Sequence, residues 1–291
     1  MNATPEPRFI DVDPGPQGRR FVLHHRPAGP VRGLVVHVHA FAEEMNKSRR
    51  MVAMQSRALA AAGFVVLQAD LLGCGDSDGD FGDASWARWA ADVHAAVRWL
   101  QARHDGAALP LWLWGQRAGS LVATEAAAAL AAEGQPCHFL FWQPAPLGRV
   151  LLQQFLRLKA ASELLGGQAR AVMEQLRAEI AAGRSIEVAG YELAPALCDG
   201  LERATLQPPP APPGRMVWLE TSPVETPTLA PAGATTLAAW RDAGWQVDAR
   251  ALRGPAFWQT TEIEDAPALV DATVAALTAP QPLPAAQEAA A

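Results

Sequence analysis

The chain carries one tyrosine, three cysteines and seven histidines among 291 residues, and every histidine lies at or before His138. Cys74, Cys137 and Cys198 are far apart and form no Cys-x-x-Cys pair. That spacing excludes a disulfide framework or a thiolate zinc site and suits a reducing compartment, so a cytoplasmic location is expected. Lysine and arginine number 24 against 30 acidic residues, a net charge of −6, with no basic run or basic–aromatic stripe. Nucleic acid is therefore not an expected partner. No apolar run is long enough to span a bilayer, and Met1–Arg8 has neither the basic nor the apolar region of a signal peptide. No internal repeat is present.

Half of the residues are hydrophobic, and tryptophan occurs ten times. The length suits one large α/β domain with an insertion. Phe9–Val12 and Arg19–His25 alternate across a Pro/Gly-rich turn and predict an antiparallel hairpin. Gly33–His39 and Phe64–Ala69 are near-continuous apolar runs, as in strands covered on both faces. Between them, Ala40–Arg50 reads as a polar loop, and Met51, Met54, Ala58 and Ala62 mark a helical face that ends at Gly63. After the glycine-rich loop Asp70–Gly79, Ser85 caps a helix with Trp86, Trp89, Val93, Val97 and Leu100 on one face. Strands at Leu111–Trp114 and His138–Trp142 flank a helix over Leu121–Glu133. Strand–helix alternation from Gly33 to Trp142 predicts a parallel sheet built of right-handed crossovers. It resumes with Met216–Glu220, Ala234–Ala243, Gln246–Leu252 and Pro267–Ala279.

The expected organisation is a first core segment over 1–146, a helical cap insertion over 147–213, a second core segment over 214–279 and a disordered Pro/Ala-rich tail over 280–291. The cap helices are expected to break at Gly166–Gly167.

The most informative stretch is Pro110-Leu-Trp-Leu-Trp-Gly-Gln-Arg-Ala-Gly119. A buried strand followed by Gly-x-x-x-Gly and a helix is the frame of a nucleophile elbow, where a serine normally projects above the sheet. Here the central residue is Arg117. With Asp70-x-x-Gly-x-Gly-x-Ser77 after the preceding strand, the order of elements resembles the α/β-hydrolase fold over roughly residues 20 to 278. Phe41-Ala-Glu-Glu-Met-Asn-Lys-Ser-Arg-Arg-Met51, Asp80-Phe-Gly-Asp-Ala-Ser-Trp86 and Phe257-Trp-Gln-Thr-Thr-Glu-Ile-Glu-Asp-Ala-Pro267 resemble exosortase A system-associated hydrolase 2. That resemblance implies a role beside bacterial machinery for exopolysaccharide synthesis and protein sorting.

In this fold the resemblance implies a triad in the order nucleophile, acid, histidine. A guanidinium stays protonated and cannot attack a carbonyl. The loop where the histidine should stand reads Arg253-Gly-Pro-Ala-Phe-Trp-Gln259, and Glu220 and Glu225 near the acid position have no imidazole to orient. A standard Ser-His-acid mechanism is therefore not expected. Two uses of the site stay open. In one, a divergent hydrolase of an ester, thioester or glycan-linked acyl group uses Arg117 to hold an anionic substrate and Glu43 or Glu44 as a base on water. In the other, a non-catalytic protein binds a small anion, a sugar or a partner in the same cleft. Arg117 either binds ligand over a helix N-terminus or is locked in an ion pair with Glu43 or Glu44. Phe41 and Ala42 are candidate oxyanion-hole donors. Asn46, Lys47 and Ser48 crowd the same mouth, with Asn46 or Ser48 as a helix cap, and Gln116 and Ala118 flank the elbow residue. Trp142, Gln143, Trp258 and Gln259 follow strands whose C-terminal ends face the cleft, where ligands of open α/β sheets bind. His37-x-His39 lacks a third ligand, so no metal is expected, and no cofactor. Ser77, Ser120 and Cys74 are weak alternative nucleophiles: Ser77 fixes the glycine loop, Ser120 lies inside a helix and Cys74 has no base.

Overall fold

The computed structural model describes residues 4–13, 15, 17–104, 109–162 and 169–280. The glycine break at 166–167, and the expected tail beyond 280, lie outside the described residues. In chain order the strands are β1 (Glu6–Asp11), β2 (Arg19–His25), β3 (Gly33–Val38), β4 (Phe64–Ala69), β5 (Leu111–Gln116), β6 (His138–Trp142), β7 (Ile186–Val188), β8 (Tyr191–Leu193), β9 (Arg215–Ser222) and β10 (Gln246–Arg253). Eight of them form one sheet in the order β1-β2-β4-β3-β5-β6-β9-β10. β2 is antiparallel to β1 and β4; β4, β3, β5, β6, β9 and β10 are parallel.

The long helices are α1 (Glu43–Ala61), α2 (Trp86–Gln101), α3 (Ala118–Ala132), α4 (Gly148–Ser162), α5 (Ala169–Ala181), α6 (Pro195–Arg203), α7 (Ala234–Asp242) and α8 (Pro267–Thr278). All six residues of β3 are buried, and successive side chains of a strand point to opposite faces. Leu34, Val36 and Val38 join the apolar cluster that takes in Trp89, Val93 and Val97 of α2 and Leu121 and Val122 of α3. Val35 joins the opposite cluster, with Met51, Val52 and Leu59 of α1 and Leu269 and Leu277 of α8. Double coverage is the reason these strands read as unbroken apolar runs.

Two readings change. Residues 43–50 are not a loop but the first turns of α1. Glu43 and Glu44 favour that helix end by facing its positive dipole. The run is polar because much of this face looks out of the core, with Glu43, Glu44, Asn46 and Lys47 at least partly exposed. The irregular stretch toward Arg203 contains the hairpin of β7 and β8 and the helix α6. Gly200 is required in α6, because a Cβ there would stand 2.1 Å from Cβ of Trp86. Ser85 does cap α2, accepting from Arg88 N at 3.3 Å.

Candidate functional site

The elbow is built at the C-terminal end of β5. Arg117 adopts φ 53° and ψ −120° at the N-cap of α3, a conformation unfavourable for a residue with a Cβ. Its N–H donates to Trp142 O at 3.0 Å. The flanking glycines explain why the turn is this tight. A Cβ on Gly115 would lie 2.4 Å from Cα of Ser120, and one on Gly119 would lie 2.1 Å from Val38 O. Packing therefore holds the strained turn although no hydroxyl nucleophile stands in it.

Ala42, at the N-cap of α1, repeats the geometry with φ 49° and ψ −124°. Among the described residues neither Ala42 N nor Ala118 N has a hydrogen-bond partner. Two helix N-termini thus leave donors unsatisfied at the end of the sheet where an oxyanion hole belongs.

Arg117 is in the ion pair, and its partner is Glu44. Its Nε lies 3.1 Å and 3.2 Å from the two carboxylate oxygens of Glu44, and Nη2 lies 3.0 Å from Oε1. The Arg117 side chain is 11% exposed and that of Glu44 23% exposed. The Trp258 ring closes another side, 5.6 Å from the guanidinium carbon. Ser48 supports the pair from within α1 and is not a cap. Its Oγ donates to Glu44 O at 2.7 Å and accepts from Gln116 Nε2 at 2.7 Å.

Above the pair is a cavity of about 330 Å³ lined by Phe41, Glu43, Glu44, Lys47, Leu151, Gln154, Phe155, Leu158, Trp258 and Gln259. Of the expected site residues it gathers Phe41, Glu43, Glu44, Lys47, Trp258 and Gln259. Lys47 Nζ sits 3.1 Å from Glu43 and 3.4 Å from Gln259 O, which ties α1 to the loop after β10. Asn46 turns away from the cavity, donating to the Tyr191 hydroxyl at 3.2 Å.

Trp142 and Gln143 are not brought to the cavity. Trp142 is fully buried against Trp114 and donates to Thr273 Oγ1 at 2.9 Å. Gln143, at φ 44°, joins β6 to β9: its N–H donates to Leu219 O, and its Oε1 accepts from Thr221 N at 2.9 Å. Both lie in the chain where sheet ends face the cleft, but their side chains serve the sheet. Glu220, near the expected acid position, accepts from Trp218 Nε1 at 2.7 Å and Ala230 N at 2.8 Å. Its carboxylate is thus spent on structure.

With Gln154, the α4 residues Leu151, Phe155 and Leu158 are the part of the wall that the sequence reading missed. Their i, i+4, i+7 spacing on a helix that also buries Leu152 and Leu156 was a usable signal. A helix apolar over more than its core-facing stripe has a second surface to cover. Phe41 meets Phe155 at 5.2 Å and Phe81 at 5.7 Å, and Phe81 meets Tyr191 at 5.0 Å, so aromatic edges join the cap to the core here.

A smaller chamber of about 20 Å³, enough for one water, lies beneath α1 among His37, His39, Arg49, Asp70 and Gln116. His39 Nδ1 is 2.8 Å from Ala40 O and its Nε2 accepts from Leu71 N at 3.3 Å, which fixes the proton on Nδ1. His37 Nε2 and Gln116 Oε1 are buried without a partner among the described residues. Burial pushes both imidazoles below the usual histidine range, so they are neutral. Among the described residues no three His, Cys, Asp or Glu side chains converge as a metal set.

The alternative nucleophiles are held elsewhere. Ser77 Oγ accepts from Phe21 N at 2.9 Å, and Ser120 Oγ donates to Gly115 O at 3.1 Å. The Cys74 thiol is raised far above its usual range by burial and then by Asp70 and Asp92, so it stays protonated.

A mostly parallel sheet, an elbow after β5 and a helical insertion after β6 define an α/β-hydrolase fold. The sequence pattern of serine aminopeptidase, S33, matches residues 29–179, just over half of the chain. The chain belongs to that family. Solved structures agree on the fold. Est1E from Butyrivibrio proteoclasticus with bound ferulic acid superposes with a TM-score of 0.66 at 15% identity, over 93% of this chain and 97% of that one. A thermostable carboxyl esterase from Bacillus coagulans in complex with glycerol gives 0.58 at 14% identity, over 94% and 98%. XC6422 from Xanthomonas campestris, an α/β serine hydrolase without a lid, gives 0.56 at 17% identity, over 97% and 98%. No curated protein matches the sequence. No helix among the described residues is long and apolar enough to cross a membrane.

Proposed function

We propose that this chain is a non-catalytic member of its family that binds a small molecule with an apolar body and a carbonyl or carboxylate head in the 330 Å³ cavity. The observation that carries this reading is the two-point contact between Arg117 and Glu44 at the nucleophile position. It sets Nε and Nη2 of the guanidinium against both carboxylate oxygens, so the charge at the nucleophile position is met by an internal partner. The walls suit the ligand: Leu151, Phe155, Leu158, Phe41 and Trp258 for the body, and Lys47 for the head. Ferulic acid in Est1E is a ligand of this kind. The resemblance to exosortase A system-associated hydrolase 2 supports a cytoplasmic place beside exopolysaccharide synthesis, with a sugar-linked acyl group as a natural ligand.

The test is a melting-temperature screen of aromatic and medium-chain carboxylic acids and acyl sugars, run beside p-nitrophenyl esters and a fluorophosphonate probe. We expect a ligand that raises the melting temperature and loses its effect in Leu151→Ala and Lys47→Ala, with no turnover and no adduct. A stoichiometric fluorophosphonate adduct overturns the reading.

The unsatisfied Ala42 and Ala118 donors favour a second reading, hydrolysis of an acyl group by water with Glu44 or Glu43 as base and Arg117 as charge stabiliser. Ester turnover abolished by Glu44→Ala or Arg117→Ala in folded protein would put it first. Under either reading Arg117→Ser gains no esterase activity, because the restored hydroxyl still has no histidine at the cavity. Measurable p-nitrophenyl acetate turnover in that variant would contradict this.

A further inference from the structure

A second and larger cavity opens at the other end of the sheet, by the N-terminal ends of its parallel strands. It measures about 1030 Å³. Among the described residues its charged and titratable lining is Arg32, Arg98, Arg215, His104 and His138, with no Asp or Glu side chain. In a chain of net charge −6 such a one-signed basin is unusual.

Two of its arginines have no carboxylate in contact. Arg215, at the start of β9, is half-buried, lies 5.2 Å from the Trp112 ring and donates from Nη2 to Ala276 O at 2.6 Å. Arg32 donates from Nη2 to Thr278 O at 3.4 Å. Both therefore touch carbonyls near the end of α8, which are neutral acceptors, and among the described residues neither has a carboxylate within 4.0 Å. Arg98 has only Glu133, at 3.8 Å, and its side chain is 57% exposed. A guanidinium offers five donors, so most stay unused here, and a half-buried cation with no carboxylate in contact is costly.

His138 adds an oriented donor. Its Nδ1 accepts from Arg215 N at 3.0 Å, so its proton is on Nε2. Burial and then Arg215 push this imidazole down to about 4, and it is neutral at pH 7. Forked guanidinium donors and a neutral N–H are the groups that recognise phosphoryl oxygens.

We propose that this basin is a second binding site, for a soluble phosphorylated small molecule, held through Arg32, Arg98 and Arg215 at the face opposite the elbow. Its volume admits a ligand much larger than a single inorganic ion.

Calorimetric titration of the full chain with inorganic pyrophosphate at low salt tests this. The expected result is one saturable site per chain, weakened about tenfold or more in Arg215→Ala and in Arg32→Ala and unchanged in Lys47→Ala, which alters only the elbow cavity. Arg215→Lys and the exposed Arg98→Ala repeat the measurement with smaller risk to folding, and each should weaken binding. Absence of saturable binding overturns the proposal, as does equal affinity in all the arginine variants or loss in Lys47→Ala. Sedimentation with phosphatidic acid vesicles in the absence of pyrophosphate binding would also overturn it, in favour of a lipid headgroup.

Discussion

Arg117→Met destabilises the protein by about 2–3 kcal/mol, Glu44→Leu does so by a similar amount, and the double variant recovers most of the loss. Each single change leaves one charge without its partner. With Arg117 gone, the Glu44 carboxylate remains between α1 and the Trp258 ring without the donors that now face both its oxygens. A buried pair broken on one side costs about 3–5 kcal/mol, and this one belongs at or below the low end because Glu44 is 23% exposed. Replacing both groups with apolar side chains removes the unpaired charge, and Phe41, Phe155 and Trp258 already supply apolar neighbours. Urea unfolding of the four proteins in the cycle measures the coupling. A coupling below about 0.5 kcal/mol, the usual result for an exposed pair, would mean that solvent screens these charges and that Arg117 is free for a ligand. The same cycle thus bears on function: strong coupling supports an occupied elbow, weak coupling an available cation.

How much of this was legible beforehand depended on range. The sheet was readable because β3, β4 and β5 are covered on both faces, and double coverage leaves a continuous apolar signature in sequence. The elbow was readable because Gly115 and Gly119 are imposed by backbone approach at 2.4 Å and 2.1 Å, a steric demand that does not depend on which side chain stands at position 117. The start of α1 was not readable: its N-cap is Ala42, without a side-chain cap, and its first turns are polar because they line a cavity and not the core. The fate of Trp142 and Gln143 was hidden for a different reason. Position in the chain puts them at a strand end, but their direction is set by Thr273 and Thr221, 131 and 78 residues away. The identity of the Arg117 partner was half-visible. Glu43 and Glu44 are adjacent in sequence, and only the helical phase of α1 turns Glu44 to the elbow while Glu43 pairs with Lys47 at i+4.

Acidification from pH 7.5 to 5 lowers stability steeply, before most carboxylates titrate. His24, His25 and His138 are each pushed down to about 4, with burial the leading cause in all three. In the unfolded chain they titrate near 6.5. The folded pKa is depressed, so the unfolded state takes up protons first as pH falls. The stabilisation is fully present above about 6.5 and is lost progressively as pH falls toward 4. The geometry shows why the neutral forms are required. His25 Nε2 is 2.8 Å from Gln68 Nε2, an amide that can only donate, so a protonated ring would set donor against donor. His138 Nδ1 accepts from Arg215 N, a bond that protonation would break. His24 packs edge-on to Trp99 at 5.6 Å and has Arg26 among the charges acting on it. These three alone give a limiting slope of about 4 kcal/mol per pH unit, reduced in practice where water reaches the rings, and His37, His39 and His104, also held below the usual histidine range, add to it. Urea midpoints across the range measure it, and a flat profile between pH 7 and 5 would contradict the assignment. His25→Leu separates the proton count from general acid sensitivity. It removes one titrating ring and leaves the other depressed imidazoles, so the slope should fall by at most about 1.4 kcal/mol per pH unit whatever the variant does to stability at pH 7.5.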